Sequence, residues 1–136
     1  MTQENKLLLR ELSARLPYGV KASFYGFEEE CECIDIIDGI YPFDNEISIG
    51  QYGLKVEEVK PYLFPIESIT EELLCRNGLS NVKLVEEYEG KFYLRLHHFG
   101  FEDYERLLVF FYENHIDYNG LIEKGLAKDA SGLNIY

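Results

Sequence analysis

Leu8, Leu9, Leu12 and Leu16 recur at three- and four-residue intervals, and Pro17 then ends the pattern. With Glu4, Lys6, Arg10, Glu11 and Arg15 on the remaining arc, residues 2–16 read as one amphipathic helix. Thr2 supplies the oxygen that caps it, and Pro17 disfavours helical geometry in the residue before it. Beyond Pro17 the period changes to short apolar runs bounded by Gly: residues 20–25, 31–37, 46–51 and 54–59. Four short strands in some forty residues predict an antiparallel meander or a small barrel. Val20, Ala22 and Phe24 share one face of the first strand. In the second strand the inward phase changes, because Cys31 and Cys33 alternate with acids while Ile34 and Ile36 fall on the other phase. A bulge near Cys33 or Ile34 is expected there.

Pro61 and Pro65 exclude a central strand or a helix interior and mark an extended crossing segment. Ser68 or Thr70 opens a helix through Cys75, with Glu71 and Glu72 in the first turn and Asn77-Gly78 at its end. Residues 82–87 and 91–97 form a hairpin around Tyr88-Glu89-Gly90, with Phe92, Leu94 and Leu96 on one face. Glu102 and Asp103 start the strongest helix, in which Tyr104, Leu107, Leu108 and Phe111 follow the helical template. Residues 116–127 close the chain with a short helical turn. The 136 residues suffice for one core. The expected fold is therefore a single α+β domain over residues 1–136. It has an N-terminal helix, a bent antiparallel sheet or partial small barrel, and a C-terminal helix packed on the sheet.

Charge bounds the function. Between residues 22 and 54 stand eight acids, Glu28, Glu29, Glu30, Glu32, Asp35, Asp38, Asp44 and Glu46, with no Lys, Arg or His. The chain carries net charge -12, yet its 46% hydrophobic content is that of a folded body, so the acids belong on its surface. These eight residues are the candidate contact site for a protein partner with a basic surface, and direct nucleic-acid binding is disfavoured. Same-face acids on one strand repeat at roughly 6.8 Å, too sparse to imitate a DNA strand with a charge per roughly 3.4 Å. Mimicry would require Asp44, Glu46, Glu57 or Glu58 to fold beside Glu28, Glu30 and Glu32. The bland alternative is that the acids keep edge strands soluble. Eleven Tyr and nine Phe supply either core or a sticky surface.

No Gly-rich phosphate loop occurs, and no cofactor is expected. Asp35, Asp38 and Asp44 do not match a calcium loop. Cys31, Cys33 and Cys75 lack partners at finger-like spacing, so no metal is expected and the thiols read as reduced. No signal peptide or membrane-spanning run is apparent, and a cytoplasmic protein is expected. A rival reading is a small hydrolase or metal-dependent enzyme in which His97, His98 and His115 converge, Asp117 orienting one of them. A third is a structural or assembly protein, recognisable by a large apolar patch and a symmetric oligomer.

Three segments, LRELSARLPYGVK at residues 9–21, EEVKPYLFP at 57–65 and HIDYNGLIEKGLA at 115–127, make up about a quarter of the chain. In that order they resemble a family of short uncharacterised proteins from Bacteroidetes genomes and their phages. The resemblance implies a phage or mobile-element setting and no known activity. It also implies an Arg where this chain has Asn119, so no anion-binding role is carried over to that position.

Overall fold

The computed structural model describes residues 2–87 and 90–136. Helix α1 (Gln3–Arg15) begins where Thr2 accepts a hydrogen bond from the Asn5 amide at 3.0 Å, and it passes into a 3-10 turn at Leu16–Tyr18 that contains Pro17. Its Leu8, Leu9 and Leu12 are buried. Gly19, at φ +68°, takes the left-handed turn that directs the chain into the sheet.

Strands β1 (Lys21–Gly26), β2 (Cys31–Tyr41), β3 (Glu46–Ile49) and β4 (Tyr52–Lys55) form an antiparallel meander. A 3-10 turn at Val56–Glu58 then leads into β5 (Lys60–Pro65), which returns to β1. The eleven-residue β2 serves both halves of the meander: its first part pairs with β1 and its second with β3, across a register shift between Ile37 and Gly39. That bend brings β4 over the end of β1, so the Tyr52 ring lies 5.6 Å from Phe24 and 5.1 Å from Phe27. The curled sheet encloses Val20, Ala22, Ile37, Ile47, Ile49 and Leu63, and α1 closes the open side.

Four expectations are corrected. The register shift falls at Ile37/Gly39 and not at Cys33 or Ile34, because Cys33 and Ile37 keep the inward phase while Ile34 and Ile36 stay outside, exposed. Strand β4 ends at Lys55, and residues 56–58 leave the ladder as a turn that buries Val56 and Val59. The Pro-flanked segment is a strand inside the sheet: β5 lies between β1 and a short strand β8 (Ile116–Asp117), giving the order β4-β3-β2-β1-β5-β8, with β9 (Lys128–Asp129) also on β5. It pairs in three two-residue stretches rather than one ladder, an arrangement compatible with Pro at both ends. Two of these are parallel pairings to β8 and β9, so the sheet is mixed.

A second cluster joins α2 (Glu71–Arg76), capped by Thr70, to the hairpin β6 (Val82–Glu87) and β7 (Lys91–Leu96) and to α3 (Phe101–Glu113). Leu107, Phe110 and Phe111 of α3 pack with Ile69, Leu74, Ile116 and Phe64 of β5, which sets the C-terminal helix on the sheet. The Tyr88-Glu89 part of the expected turn lies outside the described residues.

Candidate functional site

The acidic run extends along β2 and beyond both of its ends. Glu28, Glu29 and Glu30 occupy the turn between β1 and β2, and Glu32 follows on β2 opposite Tyr25. Asp44 and Glu46 come after Tyr41, beyond the C-terminal end of β2. Asp35 and Asp38 lie between, exposed. Glu57 and Glu58 line one hollow with Glu32. Glu57 links the two ends of the run: it shares that hollow with Glu32 and Glu58, and it accepts a hydrogen bond from Asn45, between Asp44 and Glu46.

Several of these carboxylates already have work. Glu28 accepts from Gln51 Nε2 at 2.8 Å, and Glu29 accepts from the Tyr52 hydroxyl at 2.5 Å. The Glu29 carboxylate accordingly pushes the Tyr52 phenol above its ordinary pKa. Glu32 accepts from Lys128 Nζ and from the Ser23 hydroxyl, and the Lys128 bond holds its carboxyl below the usual range. Glu57 accepts from Asn45 Nδ2 at 3.1 Å. Among the described residues, Glu32 is the one acid of the eight in an ion pair. Beside them Tyr25 and Phe27 are 57% and 63% exposed. Alternation with Val20, Ala22 and Phe24 puts Tyr25 on the outward face of β1, and Phe27 lies beyond that pattern in the turn. The available signal was an aromatic residue at the entry to an acidic turn.

The histidines do not converge. His97 and His98 precede the N-terminus of α3 and His115 follows its C-terminus, with a helix about 20 Å long between them. Strand β7 gives the same answer: its Lys91 and Phe92 line a hollow with Asp117, and His97 comes after its far end. Asp117 is instead an acceptor for the Leu121 and Ile122 amides at 2.8 and 2.9 Å, so it shapes the closing turn.

His115 belongs to a buried node. Glu11 and Arg15, one turn apart on α1, pair at 2.5 Å with both side chains shut off from solvent. Arg15 also donates to the Ile116 carbonyl at 2.6 Å and lies 5.4 Å from the Tyr112 ring and 5.9 Å from that of Tyr118. Asn119 donates to Glu11. His115, at φ +54°, stacks on Tyr136 with ring centroids 3.9 Å apart, and its Nδ1 is buried without a partner. Burial, followed by the Arg15 charge, lowers its pKa to about 4. Burial also pushes the Tyr136 phenol up to about 12. The Tyr136 hydroxyl accepts from the Lys21 amide and donates to the Tyr62 carbonyl, both at 2.8 Å, so it bridges β1 and β5 just past their last direct pairing. The node ties the first helix, the last helix and the C-terminus together.

Cys31 and Cys33 are free thiols with sulfurs 4.0 Å apart, and Cys75 is free and exposed. Among the described residues no three His, Cys, Asp or Glu gather at a metal-binding geometry, and no helix is long and apolar enough to cross a membrane. Comparison with protein-family models, curated proteins and solved structures finds no match for this chain.

Proposed function

We propose that this chain is a non-catalytic accessory protein that binds a protein partner through the acidic, aromatic surface around its β1–β2 turn. The observation that carries the reading is the exposure of Tyr25 and Phe27 beside Glu28, Glu29, Glu30, Glu57 and Glu58. Large rings held in water contribute little to the fold and are the residues that anchor interfaces, and a carboxylate rim favours a basic partner. The phage or mobile-element setting implied by the resemblance makes that partner a host or phage protein. Capture from host lysate by the native chain and by a variant with Glu28, Glu29, Glu30 and Glu32 changed to Lys tests this, with thermal unfolding confirming that the variant folds. Partners lost from the variant support the reading, and identical partner lists end it.

An assembly role has one specific observation in its favour. Phe101, Tyr104 and Leu108 form an exposed stripe on α3, with Phe101 96% exposed. Concentration-dependent mass that Phe101→Ser abolishes would establish self-association, and a monomer at high concentration would exclude it.

A further inference from the structure

Strand β4 is an edge of the sheet, and it reaches the outer end of β1 through side chains alone: the Tyr52 ring against Phe24 and Phe27, and its hydroxyl on Glu29. The seam left beside them is a hollow of about 250 Å³ lined by Tyr25, Phe27, Leu54 and Glu58. Tyr25 and Glu58 also line a second hollow, of about 350 Å³, that reaches Glu32, Glu57 and Lys60, so the two adjoin along those side chains and are taken together as the groove. Three properties of the groove define its occupant. An edge strand presents unpaired amides and carbonyls, which an extended chain satisfies. Exposed Tyr and Phe faces accept proline rings, aliphatic stems and guanidinium groups. The charges around it are the carboxylates of Glu28, Glu29, Glu30, Glu32, Glu57 and Glu58 against the ammonium groups of Lys55, which donates to the Asp44 carbonyl, of Lys60, and of Lys128, already held by Glu32.

We infer that this seam is a docking groove for an extended, Arg- or Lys-containing segment of a partner protein. The inference rests on the protein-binding reading above and specifies where and in what conformation the partner binds. A cation of the segment lies against the Tyr25 or Phe27 ring, with Glu28, Glu57 and Glu58 at the rim, and its backbone runs along β4. An acidic segment is repelled by the same rim.

Fluorescence anisotropy with labelled decapeptides tests the inference on the intact protein. The probes are an alternating Arg-Pro peptide, an alternating Glu-Pro peptide, and a helix-forming peptide of Lys, Leu and Ala. The Arg-Pro peptide is expected to bind, to weaken as salt rises, and to lose about tenfold in affinity with Tyr25→Ser or Phe27→Ser. Phe43→Ser, at a more fully exposed ring in the turn after β2 that lines neither hollow, leaves binding unchanged. No Arg-Pro binding, or binding that ignores Tyr25 and Phe27, overturns the groove. If Glu28→Lys with Glu30→Lys still weakens binding in that second case, the broader acidic-surface reading stands alone. Binding of the helical peptide at equal affinity and with the same Phe27 dependence overturns the extended conformation.

Discussion

Replacing His115 by Phe should remove a specific acid sensitivity from this fold. The ring is 5% exposed, its Nδ1 has no partner, and it shares the node with the Arg15 guanidinium. Its pKa falls from 6.5 to about 4 on folding, so between those values the unfolded chain binds a proton that the folded chain refuses. Stability is therefore full above pH 6.5 and declines as pH falls toward 4. At about 1.4 kcal/mol per pH unit, the interval sets a ceiling of about 3 kcal/mol. Relaxation of the folded state around the new charge reduces the expectation to about 2 kcal/mol. Phe keeps an aromatic face for Tyr136 and cannot protonate. Its cost at the left-handed backbone of position 115 is the same at every pH and cancels from the comparison. Urea unfolding at pH 7.5 and pH 4.5 measures the effect: the native chain should lose about 2 kcal/mol more than His115→Phe across that range. Parallel losses would show that His115 is not held neutral in the fold, and the burial argument would fail.

Three further variants probe the same node. Glu11→Ala leaves the Arg15 charge buried without its carboxylate and should cost about 3–5 kcal/mol in urea unfolding, whereas Glu11→Leu with Arg15→Met should recover part of that, since Asn119 and the Ile116 carbonyl still lose partners. Tyr136→Phe deletes the hydroxyl that bridges Lys21 and Tyr62 and should cost about 1–3 kcal/mol, with faster amide exchange at Lys21; unchanged exchange there would mean that the C-terminus is not part of the sheet.

The elements with strong local signals were legible from the sequence. Leucine spacing and two end signals define α1, Thr70 and Asn77-Gly78 bracket α2, and alternation in Phe92, Leu94 and Leu96 places β7. What escaped was set by distant contacts. Strands β8 and β9 are two residues each, too short to show alternation, and exist because β5 is there to pair with them. The Pro pair argued against a strand, and only three short pairings reconcile it with the sheet. The bend in β2 could be expected, yet its position depended on which residues meet β1 and β3. For the candidate surface, the acids are visible in the sequence, but the arrival of Glu57 and Glu58 beside Glu32, with Glu57 also bonded to Asn45, follows from the curl of the sheet. The Glu32–Lys128 pair joins residues 96 positions apart, with no local signal.

Amide chemical shifts of the 15N-labelled protein during titration with the Arg-Pro decapeptide test the central claim most directly. The account predicts perturbations confined to β1 from Tyr25 onward, the turn carrying Glu28, Glu29 and Glu30, strand β4 and the Val56–Glu58 turn. Shifts centred on Phe101 and Tyr104, on Phe43, or nowhere on the chain would contradict it.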